Sequence, residues 1–300
     1  DGGLVDKSGK DRKGEEALHT GQAVLMGTAE IDYLVERCAT LAKEHRDAEA
    51  LRADVLAALK DEKKNIAALK HGSGLESALF GRMVTSDVLA GRDAAVYVAH
   101  AFTVHEAQVE NDYFTVVDDL NQASGELGSA GIFDTELASG LYYGYVVVDV
   151  RQLVENLEGV DAKSCFAADT PAQRRELAAR VVEHLLHLIS TVSPGAKRGS
   201  TAPFDWANLM LVEAGHWQPR SLAGAFHDAL LLAERDDDLP LRLRAAKRLG
   251  NEIAAMDDAY GVPLERRFLS LDPLELPAAQ RLPLGELAGW AGSIIRRGAC

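Results

Sequence analysis

Five histidine and aspartate side chains able to ligate a divalent metal fall between residues 100 and 119: His100, His105, Asp112, Asp118 and Asp119. Imidazole nitrogens and carboxylate oxygens together could hold an ion that activates water for phosphodiester hydrolysis. The spacing is unfavourable, because successive side chains of an extended strand point to opposite faces. His100 and His105 are an odd number of positions apart and Asp118 directly precedes Asp119, so both pairs would be divided. A metal-dependent phosphodiesterase using these four residues is therefore kept as an alternative only.

Sequence signatures of other catalytic or cofactor sites are missing from the chain. It contains no GxSxG nucleophile elbow, no GxGxxG dinucleotide fingerprint and no Walker A loop. His184 and His187 have i, i+3 spacing without an HExxH pattern, and Cys38, Cys165 and Cys300 form no CxxC pair. Zinc ligation and a disulfide framework are therefore disfavoured. We expect a non-enzymatic protein with no catalytic residue, no metal and no other cofactor.

A loop between a predicted helix and a predicted strand carries groups suited to phosphate binding. Its sequence, SPGAKRGSTAPF over residues 193–204, contains the cations Lys197 and Arg198 and the hydroxyls of Ser200 and Thr201. Such side chains make many of the backbone contacts in protein–nucleic acid complexes. An ordinary surface turn has a similar composition, so the loop alone leaves both interpretations open.

The tripeptide GRM at residues 81–83 is a second possible contact. Gly81 would let the backbone approach a ligand closely, Arg82 presents a planar fork suited to phosphate, and Met83 could act as an apolar wedge. The local sequence favours a simpler interpretation, in which the segment begins a strand and Met83 lies in the core.

A long insertion between two strand-like segments must position several of these groups. Residues 94–105 (AAVYVAHAFTVH) and 141–150 (LYYGYVVVDV) are rich in β-branched and aromatic side chains. The residues between them are too many for an ordinary hairpin loop. They contain an apolar run at residues 113–117 and several glycines further on. The pattern predicts an extended, hairpin-like arm.

The arm is acidic. Residues 101–140 contain eight acids and no Lys or Arg. Such an arm cannot bind phosphates through charge, so a contact with nucleic acid would use apolar side chains as a wedge, with Phe114 and Val116 or Val117 displacing or stacking on bases. Alternatively, its acids could contact basic residues of a neighbouring subunit. Both alternatives make the arm an interaction element.

Helices and strands follow each other along the rest of the chain. Apolar spacings of three and four predict helices from Thr28, over residues 47–70, from a Thr170 N-cap with Pro171 in the first turn, and over residues 221–234, 239–260 and 283–297. Residues 205–213 and 266–271 are typical of strands. The 300 residues are 47% hydrophobic and 26% charged, an ordinary globular composition, and the net charge of -14 disfavours indiscriminate attraction to nucleic acid or anionic membrane. The absence of a membrane-spanning run and of a signal peptide, together with the cysteine usage, predicts a cytoplasmic protein.

Four segments in register resemble one known family. GRMVTSD, VAHAFTVHEAQVENDYFTVVDDL, SGLYYGY and PGAKRGSTAPF are similar, in order and spacing over about 120 residues, to the CasC-type backbone subunit of the type I-E CRISPR Cascade surveillance complex. The resemblance implies an α+β fold: a palm built on a modified RNA-recognition (ferredoxin-like) fold, a helical fingers domain and a long β-hairpin thumb. In that family the subunits oligomerise along the CRISPR RNA (crRNA), and each thumb kinks the guide so that the remaining bases can pair with target DNA.

The resemblance also implies a domain division and a set of RNA-binding residues. Residues 1–80 would form the fingers, 81–104 palm, 105–138 the thumb inserted in the palm, and 139–300 palm and C-terminal helices. By matching family segments, the RNA-binding residues would be Arg82, Met83, Phe114, Thr115, Lys197 and Arg198. The implied partners are crRNA, target DNA through the guide duplex, copies of the same chain and other Cascade subunits, without a membrane.

One departure from the family concerns the amino terminus. Family members begin with a strand and a basic segment of the form RxRxSSQxxKR, and this sequence starts beyond it. We therefore expect a natural start upstream of Asp1, or a fragment. A structural oligomer that binds no RNA is the remaining alternative.

Overall fold

The computed structural model describes residues 27–44, 47–61, 74–82, 91–117, 129–195, 202–232, 239–261 and 263–298. Within these ranges the helices are α1 (Thr28–Glu44), α2 (Ala48–Asp61), α3 (Leu75–Phe80), α4 (Val150–Glu158), α5 (Glu176–Thr191), α6 (Leu241–Tyr260) and α7 (Leu284–Arg297). The strands are β1 (Val96–Val98), β2 (Phe102–Thr103), β3 (Val109–Val117), β4 (Ser129–Ala138), β5 (Tyr142–Tyr143), β6 (Val146–Val148), β7 (Leu209–Ala214), β8 (Glu265–Ser270) and β9 (Gln280–Arg281).

Strand pairing in the described part of the chain is divided among four small sheets. β1 pairs with β6, β2 with β5 and β3 with β4, all antiparallel. β8 lies between β7, which is antiparallel to it, and β9, which is parallel. The α+β class predicted from the sequence is confirmed. The division into palm, fingers and thumb stays a prediction.

The two long strands predicted on either side of the arm are each divided into two short ones. Residues 94–105 contain β1 and β2, and residues 141–150 contain β5 and β6. The physical reason is that the halves belong to different cores, with Val96 in the first and Val104 in the second. Between the halves Ala99 N–H still donates to the Tyr145 carbonyl, at 2.9 Å. The prediction of two continuous strands is therefore wrong.

The first core lies between the β1–β6 pair and helices α4, α5 and α7. Its buried side chains include Leu153 and Val154 of α4, Ala179 of α5 and Ile295 of α7. Helix α4 begins where the Asp149 carboxylate accepts hydrogen bonds from two backbone N–H groups of the first turn. This cap fixes the helix directly after β6, so strand and helix enter the same core.

Helices α5 and α7 pack closely because Gly292 has no side chain. A Cβ at Gly292 would overlap the Glu183 carboxylate of α5. The same carboxylate accepts a hydrogen bond from Arg296 at 2.7 Å, and Arg296 also donates to Glu176 at 2.7 Å. These contacts raise the pKa of Arg296, first through Glu176 and then through Glu183.

The helix predicted to begin with a Thr170 cap begins later. Thr170 Oγ1 donates to the Ser164 carbonyl at 2.8 Å instead of accepting from a helical N–H group. Pro171 precedes a 3₁₀ helix, Ala172–Arg175, and α5 starts after it. The tighter turn brings the buried Arg175 against the end of α7, where its guanidinium donates to the Ile295 carbonyl at 3.0 Å. The predicted cap is therefore wrong, although the helix itself is present.

The second core packs α6 against β8 and the segment around residue 226. Phe268, Ile253 and Phe226 are buried there, and the Tyr143 ring contacts Phe226 with centroids 5.6 Å apart. The helix predicted over residues 221–234 is wrong within the described residues: only Ala223–Phe226 are helical, as a 3₁₀ turn. The chain instead lies along the root of the arm, where Leu230 N–H donates to the Val104 carbonyl at 3.0 Å.

An ion cluster closes the end of the second core. The buried Arg266 donates to Glu213 at 2.6 Å and to the two Asp257 carboxylate oxygens at 2.6 and 2.7 Å. Arg220 donates to the same carboxylates at 2.9 and 3.0 Å. The hydrogen bonds from Arg266, more than those from Arg220, hold the pKa of Asp257 below its ordinary value despite partial burial.

Other predicted elements are confirmed. Helices begin at Thr28 and near residues 47, 241 and 284, and strands occupy 209–214 and 265–270. The part of the second predicted helix beyond residue 61 lies outside the described residues. None of the helices among the described residues is both long and apolar enough to cross a membrane.

Candidate nucleic-acid interface

The arm is an antiparallel hairpin, as the length and glycine pattern of residues 106–140 predict. Val109 of β3 pairs with Ala138 of β4, and the register continues to Val116 opposite Gly131. The register then shifts, because Val117 pairs with Ser129. Such a bulge increases local twist and redirects the strand ends. Residues 118–128, which include Asp118 and Asp119, lie outside the described residues.

Phe114 has an aromatic partner on the opposite strand. It lies directly across from Phe133, with ring centroids 5.1 Å apart and ring planes 20° apart. The two residues are 43% and 46% exposed, so roughly half of each surface faces solvent while the rings support each other. Offset stacking of this kind adds about 0.5–1.5 kcal/mol beyond simple burial. The arm therefore presents a preorganised aromatic pair rather than one isolated ring.

The two predicted arm contacts, Phe114 and Thr115, lie on opposite faces of the hairpin. They are adjacent in β3, and successive side chains of a strand alternate. Thr115 shares its face with the exposed Tyr113, whose cross-strand partner is Asp134. Only a ligand that passes around the arm, or two ligands, could contact both. Phe133, the aromatic partner of Phe114, has no counterpart in the sequence prediction, because cross-strand register has no local sequence signal.

His105 fastens the root of the arm. Its side chain is buried, and its Nδ1–H donates to the Glu106 carbonyl at 2.6 Å. Its Nε2 accepts from the Leu141 backbone N–H at 3.0 Å, so the ring joins the outgoing and returning chains. Gly140 makes room for it, since a Cβ there would lie 2.7 Å from Nε2. The direction of the arm is therefore set by a histidine and a glycine that face each other.

The same geometry bears on the metal-site alternative. Both ring nitrogens of His105 are engaged by backbone groups, so neither offers a lone pair to a metal. His100 lies on the exposed segment between β1 and β2. Within the part of the chain that the structure describes, no group of three or more His, Cys, Asp or Glu side chains could hold a metal ion.

Gly81 and Arg82 lie in a tight crossing of two backbone segments. Arg82 and Arg92 exchange N–H···O bonds of 2.8 and 2.9 Å. Gly81 has a φ of 76°, and a Cβ there would lie 2.8 Å from the backbone of Ala94, so only glycine fits. Arg82 is 6% exposed, which limits the surface it could offer to a phosphate from this conformation. Met83 lies outside the described residues.

Asn156 holds this crossing in place. Its buried side-chain amide donates to the carbonyls of Ala78 and Asp93, both at 2.9 Å. The backbone carbonyl of Asn156 accepts from the Arg92 guanidinium at 3.1 Å. One residue of α4 therefore binds the end of α3 and the segment beside Arg82. A single asparagine in a helical pattern carries no sequence signal of such a role.

The basic loop contributes only its two ends to the described structure. Lys197, Arg198, Ser200 and Thr201 lie outside the described residues. At the ends, Ser193 Oγ donates to the Asp205 carbonyl at 2.6 Å, and Ala207 N–H donates to the Ser190 carbonyl at 2.8 Å. Both ends of the loop are thus fixed beside the carboxyl end of α5.

The geometry is that of an α+β protein whose hairpin arm projects its aromatic side chains outside two packed cores. The chain belongs to the Cas family of CT1975-like proteins, whose family model matches residues 2–288. A search of the curated proteins found no match.

Two solved structures are similar to the chain. One is a chain of a "CRISPR RNA-guided surveillance complex, pre-nicking", with 26% sequence identity, a TM-score of 0.73, and coverage of 97% of this chain and 72% of that chain. Another belongs to a "CRISPR RNA-guided surveillance complex", with 25% identity, a TM-score of 0.55, and coverage of 78% of this chain and 82% of that one. The predicted likeness to subunits of such complexes is confirmed, whereas the type I-E backbone assignment stays a prediction.

Proposed function

We propose that this chain is the crRNA-binding backbone subunit of a type I-E CRISPR surveillance complex. Copies of it would oligomerise along the guide RNA, and each arm would kink the guide so that the remaining bases can pair with target DNA in antiviral defence. The family membership and the similarity to surveillance-complex chains support the general role. The arm supports the specific one.

The observation that carries the proposal is the exposed Phe114–Phe133 pair on an arm without cations. A base displaced from a stack loses a few kcal/mol, and stacking on an aromatic ring returns about 1–3 kcal/mol. A second ring behind the first stiffens the wedge, because Phe114 cannot turn aside without breaking its own stack. An acidic hairpin that presents two rings is therefore suited to separating bases rather than to binding phosphates.

Phosphate binding falls to other parts of the chain in this proposal. Lys197 and Arg198 are the principal cations, and Met83 contacts the displaced nucleotide. Arg82, which is 6% exposed at the crossing with Arg92, would contribute only from a different side-chain conformation. Thr115 contacts the guide from the second face of the arm. This division of roles suits a protein that binds the backbone of the guide RNA and its shape, while base pairing between guide and target recognises the sequence.

The proposed role is binding and not catalysis. The engagement of both His105 nitrogens by backbone argues against the phosphodiesterase alternative. Repeated head-to-tail contact between copies generates an open filament rather than a closed ring. The proposed partners are crRNA, target DNA through the guide duplex, further copies of the chain and other Cascade subunits, in the cytoplasm.

The test is RNA-dependent assembly of the full-length protein. We expect purified protein to retain crRNA and to form assemblies in sedimentation velocity whose mass grows with RNA length and collapses after ribonuclease treatment. Oligomers whose mass does not change after ribonuclease treatment would favour the alternative of a structural oligomer that binds no RNA. Failure to retain RNA at several salt concentrations would refute the proposal. Metal-dependent RNA cleavage that is lost in His100→Ala would instead favour the phosphodiesterase.

A matched pair of charge variants sharpens this test. For single-stranded nucleic acid, each neutralised phosphate contributes about 0.7 to the slope of log K against log salt. Replacing Lys197 and Arg198 together by Ala should therefore reduce the slope by about 1.4. Lys247→Ala, which removes an exposed cation from α6, should leave the slope unchanged.

A further inference from the structure

Two large aromatic side chains outside the arm are strongly exposed and close in sequence. Phe204 is 71% exposed and Trp206 is 69% exposed. Single exposed apolar residues are common on proteins, but two large exposed rings separated by one residue concentrate apolar surface in one short segment. None of the predicted arm or phosphate contacts uses either ring.

The segment that carries the rings is held firmly. Ser193 Oγ donates to the carbonyl of Asp205, the residue between the rings, and Ala207 N–H donates to the Ser190 carbonyl. Phe204 N–H closes a tight turn onto the Ala202 carbonyl at 2.8 Å. The segment that carries the two rings is therefore anchored to the carboxyl end of α5, and α5 packs in the first core.

The backbone before Phe204 is strained. Ala202 has a φ of 41°, in the left-handed region that residues with a Cβ rarely adopt. A strained residue persists only where its surroundings impose it, and such residues cluster at binding sites. Here the strain accompanies the turn that places Phe204 in solvent.

We propose that Phe204 and Trp206 form a base-stacking site for single-stranded RNA. This inference rests on the proposed function, which supplies an RNA strand, and it adds a contact apart from the arm. Every base has a π face, so stacking holds a strand whatever its sequence. That property suits a guide whose sequence varies.

The charge of the segment defines what part of the RNA it contacts. Asp205 is exposed between the rings and would repel a phosphate. The bases must therefore lie over Phe204 and Trp206, with the sugar–phosphate strand directed away from Asp205. A protein partner is the competing occupant, because the neighbouring Val192 is also exposed.

Tryptophan fluorescence of the full chain tests the proposal directly. The probe is a single-stranded oligoribonucleotide of mixed sequence. We expect RNA to quench the emission of Trp206, so the quench should persist in Trp217→Phe and disappear in Trp206→Phe. Trp217 is a matched control because it is 60% exposed.

Affinity measurements give an independent readout. Phe204→Ala and Trp206→Ala should each weaken RNA binding about 5- to 150-fold, the range that corresponds to loss of one stacked base. The salt slope should stay unchanged, since no charge is removed. Tyr260→Ala, which removes an aromatic that is 74% exposed on α6, should bind as the wild type does.

The outcomes separate this inference from the proposed function. Normal RNA affinity and no loss of quenching in Trp206 variants would overturn the stacking site while leaving the proposed function standing. Unchanged RNA affinity with altered self-association of Trp206→Ala would assign the surface to a protein partner and also overturn it. Absence of RNA binding by the wild type would instead remove the proposed function on which the inference depends.

Discussion

Phe114 and Phe133 lie face to face across the arm, with centroids 5.1 Å apart and planes 20° apart, at positions directly opposite in the β3–β4 register. Neither ring belongs to either of the two cores. A wedge of two mutually supporting rings resists bending more than one ring on a strand. In the proposed function, Phe133 therefore supports the base contact made by Phe114 without having to touch a base itself.

The first prediction concerns energetic coupling within this pair. Phe114→Ala and Phe133→Ala should each weaken RNA-dependent assembly, and the double variant should lose less than the sum of the two. The shortfall should be about 0.5–1.5 kcal/mol, the value of a stacked pair. Guide-RNA binding isotherms of the four proteins measure it. Tyr113→Ala, an exposed aromatic on the other face, is the control; equal coupling between Tyr113 and Phe133 would contradict the pair.

The second prediction concerns the root of the arm. Gly140→Ala places a Cβ 2.7 Å from His105 Nε2 and must displace the ring, which leaves the Leu141 N–H without its acceptor. A fully buried donor left unsatisfied costs about 1–3 kcal/mol, and this half-buried one should cost an amount toward the lower end of that range. We expect that loss in urea unfolding, together with faster proteolysis of the arm.

Gly144→Ala is the matched control for Gly140→Ala. A Cβ on Gly144 would meet no heavy atom within 4 Å among the described residues, so its stability should change little. If the two variants unfolded at the same urea concentration, His105 would not be holding the arm.

Particular residues show where sequence reasoning succeeds and where it stops. Helical periodicity predicts α6 and α7 because their inward faces repeat locally, and the length of the insertion predicts the arm. The same periodicity predicts α1, although Ile31 and Val35 of that helix are exposed. Phe114 is recognisable from its segment, but Phe133 is assigned only by a register that depends on a bulge and on residues far along the chain. The sequence places His105 in a strand-like segment, but the role of its side chain depends on a hydrogen bond from the backbone N–H of Leu141, 36 positions further along the chain.

The helix predicted over residues 221–234 is wrong for the same reason, because contacts with residues far along the chain decide the structure there. The apolar spacing there fits a helix, but Leu230 satisfies its backbone against Val104 and Glu106 instead. Tertiary pairing overrides local propensity when it fills a core, and Leu230 is buried in the second one. The role of Asn156 cannot be predicted in this way, since its partners Ala78, Arg92 and Asp93 lie in two segments more than 60 positions away.

The third prediction concerns acid stability. Hydrogen bonds from Arg266 lower the pKa of Asp257 in the folded chain. Their contribution to folding stability is therefore fully present at pH values above the pKa of an aspartate in the unfolded chain, about 3.9. It is lost as the pH falls through the lower, folded value. Asp257→Asn removes this titration and also leaves Arg266 with fewer acceptors.

Urea unfolding between pH 7 and pH 3 measures the effect. Wild type should lose stability steeply at the acid end, while Asp257→Asn should start lower and fall less steeply. Asp258→Asn, at the exposed neighbouring position, should keep the wild-type slope. Parallel curves for wild type and Asp257→Asn would exclude this source of acid sensitivity.

The fourth prediction concerns the helix pair that supports the first core. Gly292→Ala forces the Glu183 carboxylate away from α7 and breaks its 2.7 Å hydrogen bond to Arg296. The loss should exceed the gain in helix propensity of about 1 kcal/mol that alanine brings over glycine. Gly289→Ala lies one turn earlier on the same helix, and its Cβ would meet no described heavy atom within 4 Å. The two substitutions should therefore have opposite signs in urea unfolding, Gly292→Ala destabilising and Gly289→Ala stabilising. A stabilising Gly292→Ala would mean that Glu183 moves aside freely and that the close approach of α5 and α7 does not depend on the glycine.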